Sequence, residues 1–160
     1  MINKINSLVG KIGGRAQDFY WTLFRVLISA MFMTHGFDKL FGENPQPFTG
    51  GRMSSINIGE LISYSMPMEI NLLFIAGVVE LFGGFLILIG LCTHLIAFIA
   101  LVQMLMAYLI AHLAWFPTIN RGELATMYFL AYLLLFAYGP GPYSVDTWLS
   151  KRQKRDKVMG

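Results

Sequence analysis

The sequence predicts an all-α membrane protein: a four-transmembrane-helix bundle with both termini in the cytoplasm. Three observations lead there. Hydrophobic residues fill 56% of the 160 positions and charged residues only 13%, about half the charged share of an ordinary soluble domain. Mean hydropathy is correspondingly high, at +0.58. Long apolar runs recur four times, and the basic residues outside them are distributed unequally between the two sides those runs define.

The runs extend over Phe19–Phe37, Leu72–Ile89, Leu95–Trp115 and Leu124–Tyr138. About 20 residues at 1.5 Å each cross the ~30 Å hydrocarbon layer, and within it the backbone satisfies its own hydrogen bonds as helix. The first three runs are long enough. The fourth reaches only about 22 Å on the same arithmetic, so either the bilayer thins there or Glu123, at its start, is drawn into protein. With four spans both termini share a side. That side holds Lys4, Lys11, Arg15, Lys151, Arg152, Lys154, Arg155 and Lys157, against Lys39, Arg52 and Arg121 on the other. An excess of eight to three makes the terminal side of this multi-pass chain cytoplasmic. The first apolar run is too long for a secretory leader and has no small-residue cleavage site after it. The basic pI of 9.1 is then a membrane-side signal, and no nucleic-acid partner is expected.

Residues 1–18 form a cytoplasmic N-terminal segment. Ile2, Ile5, Leu8 and Ile12 recur at helical spacing with Lys4, Lys11 and Arg15 between them, which fits an amphipathic helix on the leaflet. Gly10, Gly13 and Gly14 equally fit a flexible tail. The membrane domain covers residues 19–149 and includes a long outer loop, 42–71. Pro45, Pro47, Gly50 and Gly51 open that loop irregularly, and Ile58, Leu61, Ile62 and Met66 then space as an apolar helical stripe, a lid over the outer mouth. Gly90–His94 is a turn so short that the second and third spans must be antiparallel neighbours. Gly139-Pro140-Gly141-Pro142 stops the last helix, and residues 150–160 are a solvated basic tail near anionic headgroups.

Ionisable side chains inside spans are costly and face the protein interior. A polar core is expected from Arg25, Glu80 and Gln103. Gly77, Glu80 and Gly84 share one helical face, with Gly83 beside them, so these glycines admit a neighbouring helix close to Glu80. A buried carboxylate needs a partner, and Arg25 is the best one on depth, its long side chain bridging the difference. That pair either fixes helix register or handles protons or ligand. At the opposite end, His35, His112 and Glu123 close three spans and form a candidate outer ligand site, suited to a quinone headgroup or to plain interfacial hydrogen bonding. No two-histidine helical motif such as HExxH is present, and no metal is assigned. The single cysteine, Cys92, excludes an intramolecular disulfide and paired-thiol chemistry. The chain has neither a cysteine cluster for iron–sulfur nor a glycine-rich nucleotide loop after a strand. Hence no covalently bound cofactor is expected, no residue is given a catalytic role, and quinone is the candidate ligand.

Arg25 with the run to His35-Gly36-Phe37-Asp38-Lys39-Leu40, then Glu80-Leu81-Phe82-Gly83-Gly84 and Gly90-Leu91-Cys92-Thr93, resemble the DoxX family of small bacterial membrane proteins. The third span ending at His112, Gly122-Glu123-Leu124 and Gly139-Pro140-Gly141-Pro142-Tyr143-Ser144-Val145-Asp146 extend the resemblance through Asp146. His94 stands where the family commonly has arginine. The resemblance implies a multi-pass protein of a bacterial inner membrane and a quinone-associated subunit of an oxidoreductase or oxidative-stress system. The partners expected are the lipid bilayer, quinone, a soluble or membrane oxidoreductase, and a second copy in a homo-oligomer. A non-catalytic membrane partner or assembly factor, or a small-solute carrier, is the alternative, because fold does not fix activity.

Overall fold

A computed structural model describes residues 2–51, 53–58 and 62–159. Helix α1 (Ile2–Arg15) precedes α2 (Gln17–Phe41), strands β1 (Ser55–Ile58) and β2 (Ile62–Ser65), and helices α3 (Leu72–Ile89), α4 (Thr93–Ala111), α5 (Glu123–Tyr138) and α6 (Val145–Met159). Helices α3 and α4 are long and apolar enough to cross a membrane, and α5 is a shorter apolar helix. Only 22% of α3 and 17% of the apolar window of α4 are buried. The core helices of a water-soluble domain would hide such surface, so its outward display is a membrane-protein feature.

Helices α2–α5 form the bundle. Helix α2 packs along α3, α4 packs along α5, and the two pairs meet around Phe32, Ile87, Met104, Tyr128, Tyr132 and Leu135. Gly77, Glu80, Gly83, Gly84 and Ile87 are all buried, as their shared helical face required. The glycines are needed for close approach. A Cβ on Gly84 would lie 2.7 Å from Met33 Cγ and 3.3 Å from the Ser29 carbonyl on α2, and one on Gly83 would lie 3.0 Å from Ile96 on α4. Gly36 is the reciprocal contact: a methyl there would strike the backbone of Gly77, Glu80 and Leu81.

Three features differ from the sequence expectations. The stripe Ile58–Met66 is not helical. Ser55–Ile58 and Ile62–Ser65 pair as an antiparallel hairpin, with Ile56 opposite Tyr64 and Asn57 opposite Ser63. The sequence alternates Ser-Ile-Asn-Ile and Ile-Ser-Tyr-Ser, a period of two that sorts apolar and hydroxyl or amide side chains onto opposite faces. Leu61, one of the residues assigned to the helical stripe, lies outside the described residues. The hairpin base is tied to the bundle by buried Asn71, whose Nδ2 donates to the Pro47 carbonyl at 2.9 Å while its Oδ1 caps α3 by accepting from Leu73 N at 3.1 Å. The basic C-terminal tail is exposed, as a solvated tail must be, but takes helical form as the end of α6, an element the sequence reading did not assign. The third span ends as helix at Ala111, leaving Leu113 and Trp115 in the following loop, with Trp115 96% exposed. The N-terminal segment takes the helical alternative, and its apolar residues Ile2, Ile5, Leu8 and Ile12 are exposed.

Candidate functional site

Two buried polar groups anchor opposite ends of the bundle, and they do not pair with each other. Arg25 is 2% exposed, but its guanidinium donates to the carbonyls of Pro140 and, at 2.8 Å, Tyr143. The expected Arg25–Glu80 ion pair is therefore incorrect. Arg25 lies nearly four turns before Lys39 on α2, whereas Glu80, midway along α3, meets α2 at Gly36 and Lys39. The segment that follows α5 brings the Pro140 and Tyr143 carbonyls to Arg25.

This terminal-side cluster is a clasp. Asp146, opening α6, accepts from Cys92 N at 2.9 Å and Thr93 N at 3.0 Å, capping the start of α4 with both carboxylate oxygens. Its own N–H donates to the Gly90 carbonyl at 2.9 Å. Gly90 has φ +72, and a Cβ there would collide with Ser144 and lie 3.0 Å from the Arg25 guanidinium, so only glycine fits both the turn and the approach. Trp21 Nε1 donates to the Gly139 carbonyl at 3.0 Å, and His94 Nδ1 donates to that of Phe136 at 2.7 Å. His94 thus ties the start of α4 to the end of α5.

At the hairpin end, Lys39 Nζ lies 2.5 Å from Glu80 Oε2 and Gln103 Nε2 donates to Glu80 Oε1 at 2.9 Å. Glu80 is 3% exposed. Sequence reading counted Lys39 among the loop cations because the apolar run ends at Phe37. Helix α2 in fact continues to Phe41, and Lys39 follows Gly36 by three residues on the face that meets α3. Gly36 beside Gly77 and Glu80 brings the two backbones close enough for that ion pair. Glu80 also sits in a π-helical segment, Val79–Gly83. Such insertions in α-helices frequently occur at functional sites.

These groups line a cavity of about 610 Å³ whose other walls are overwhelmingly aliphatic. Met53 and Ile56 of the hairpin segment cover it, Phe32 and Tyr128 back it, and His35, His112 and Arg121 also border it. His35 stands edge-on to Tyr128, ring centroids 5.8 Å apart, and Tyr128 stacks on Tyr132. His112 Nδ1 donates to the Asn120 carbonyl at 2.9 Å, which leaves Nε2 as its remaining hydrogen-bonding atom. Thus Glu80, Gln103, His35 and His112 border one space, together with Lys39 and Tyr128, which sequence reasoning did not select. Arg25 and Glu123 do not line it. Glu123 is exposed rather than drawn into protein, and in the first turn of α5 its charge favours the helix dipole. Chemically, the cavity offers an aliphatic compartment with a small set of donors and acceptors, at Lys39, Glu80 and Gln103 and at its His35 and His112 border, the ordinary layout of a site for a lipophilic small molecule. Among the described residues, no group of three or more His, Cys, Asp or Glu side chains is placed to hold a metal ion.

Residues 20–113 match the DoxX family. A relative from Haemophilus influenzae, described as an uncharacterized protein, is 34% identical over 141 residues, covering 85% of this chain and 95% of its own length. No solved structure matches the chain. A family match over more than half of the chain, together with the two outward-facing apolar helices, identifies the protein as a membrane protein belonging to the DoxX family.

Proposed function

We propose that the protein is a quinone-associated subunit of an oxidoreductase or oxidative-stress system, crossing a bacterial inner membrane four times with both termini cytoplasmic. The observation that carries this reading is the aliphatic cavity with Lys39, Glu80 and Gln103 at its polar wall and His35 and His112 on its border. A quinone presents two ring oxygens to hydrogen-bonding groups and an apolar body to everything else. An ammonium, an amide and two imidazoles supply the first, and the facing stripes of α3 and α4 supply the second. Lys39 and Gln103 fix the Glu80 carboxylate, while the imidazoles are suited to donate to or accept from a ring oxygen and its hydroxyl in the reduced form. Electrons would come from and go to a partner protein, and the exposed, strongly basic helix α6 is a surface for one. That same helix supports the second reading, a non-catalytic membrane partner or assembly factor.

Lipid extraction and mass spectrometry of the purified protein test the proposal. Bound quinone at near-stoichiometric yield is expected, and His112→Ala is expected to lower it without lowering Tm. Protein that carries none and acquires none from quinone-doped bilayers would leave the partner reading in its place.

A further inference from the structure

Helices α3 and α4 are joined by the short turn at Gly90–Cys92 and pack together there and at the π-helical segment, but they part toward the hairpin end. Gln103 closes the junction: its Nε2 reaches Glu80 Oε1 at 2.9 Å and the Ala76 carbonyl at 3.5 Å. On either side of it, each helix turns aliphatic side chains toward the gap. Ile75 on α3 and Ile99 and Val102 on α4 line the cavity and are 41%, 40% and 41% exposed, and Val102 stands on the side of α4 opposite its buried face of Ala97, Ala100 and Met104. A side chain that borders a cavity and the outside at once marks an opening. This opening lies in the sides of the two helices that are long and apolar enough to cross a membrane, so it faces hydrocarbon.

We infer that the cavity opens laterally into the bilayer between α3 and α4, and that the gap holds the hydrocarbon tail of a lipid-dissolved ligand whose polar head rests at Lys39, Glu80 and Gln103. The polarity of the space fixes that orientation. All the polar atoms contributed by α3 and α4 lie at the closed junction, and the walls from there to the outer surface are aliphatic. A head arriving from the bilayer enters without crossing water, and its tail replaces lipid chains against Ile75, Ile99 and Val102 at little desolvation cost. A ligand drawn from aqueous solution would instead leave that opening to acyl chains of the bilayer. The tail assignment rests on the quinone reading above. The lateral opening does not.

Two experiments separate them. In a Cys92→Ser background, spin labels are placed on Val102→Cys and, as an outward-facing reference off the cavity, Leu105→Cys, which is 42% exposed. In nanodiscs, both labels are expected to relax strongly with membrane-dissolved oxygen and weakly with a water-soluble nickel chelate. Strong nickel relaxation at 102 alone would make the cavity an aqueous vestibule and overturn the opening. Binding is then compared for a tail-less benzoquinone and a long-chain isoprenoid quinone with the same head. Val102→Trp, filling the gap, should weaken the long-chain ligand about tenfold, equivalent to roughly two methylenes of lost burial, and leave the tail-less one within about twofold. Equal loss for both, or none for either, overturns the tail placement. A protein that binds neither quinone while keeping an oxygen-accessible, nickel-excluded Val102 retains the lateral opening and loses the quinone reading.

Discussion

The two ends of the bundle both bury charge, and they satisfy it differently. At the terminal-side clasp, Arg25 and Asp146 meet backbone: two carbonyls for the guanidinium and two amide N–H groups for the carboxylate. Those backbone partners belong to loops that would otherwise leave their own polar groups unpaired, so the clasp serves the fold, with Arg25 Nε and Thr93 Oγ1 left buried and unpartnered. At the cavity, among the described residues, Glu80 meets only side chains, Lys39 and Gln103, and the cluster faces 610 Å³ of mostly aliphatic space. Side chains can change partners without unfolding a turn. The contrast separates a charge that holds the fold from a charge that is available for chemistry.

Substitutions can break or sharpen that contrast. The largest loss of stability is expected for Arg25→Met, which leaves the Pro140 and Tyr143 carbonyls unpaired. At 1.5–3 kcal/mol for each charge-assisted bond, about 3 kcal/mol or more should disappear in detergent unfolding, with quinone retention reduced only in step with folding. Gly36→Leu comes next. A side chain forced against the backbone of Gly77, Glu80 and Leu81 should cost about 1–3 kcal/mol and should also disturb the cavity, since it pushes Lys39 away from Glu80. A melt like that of the unmodified protein would show that α2 and α3 do not meet there.

Asp146→Ala removes a two-pronged cap from α4 and should cost about 1–2 kcal/mol, read as a lowered Tm with retention intact. A stability cycle then tests which partner Glu80 has. Lys39→Met with Glu80→Gln should show coupling of about 1 kcal/mol, and Arg25→Met with Glu80→Gln should be additive within about 0.5 kcal/mol. Coupling in the second cycle and none in the first would reverse the assignment. The smallest effect is expected for Glu123→Gln: within about 0.5 kcal/mol in stability, as for other exposed positions, and no change in ligand retention.

Much of the fold was legible because it depends on local periodicity. The buried face of α3 could be read from Gly77, Glu80 and Gly84, since residues three and four apart stack on one side of a helix whatever lies opposite. The stop at Gly139-Pro140 and the start of α5 at Glu123 were likewise local. The hairpin was misread because Ile58, Leu61, Ile62 and Met66 satisfy a helical spacing while the same stretch alternates with period two. In a segment so short both patterns coexist, and pairing between β1 and β2 decides. The candidate site was half legible. His35, His112, Glu80 and Gln103 were chosen for being polar within or beside apolar runs, and they do border one cavity. Lys39 escaped because a cation just past an apolar run looks like a loop residue. Glu123 was included on depth alone, and depth does not say which way a side chain points.

The sequence by itself determined that this chain is helical and apolar enough for a membrane, that Arg25 and Glu80 must be buried and partnered, and that glycines make the approach to Glu80. These follow from composition and from the fixed geometry of a helix, which act within a few residues. Only the tertiary structure decided the partners. Arg25 binds carbonyls 115 and 118 positions away, Glu80 binds Lys39 across a distance of 41, and α3 and α4 diverge to leave a cavity. Each of these depends on the angle and register at which separate helices pack, a property of surfaces in contact and not of any one stretch of chain.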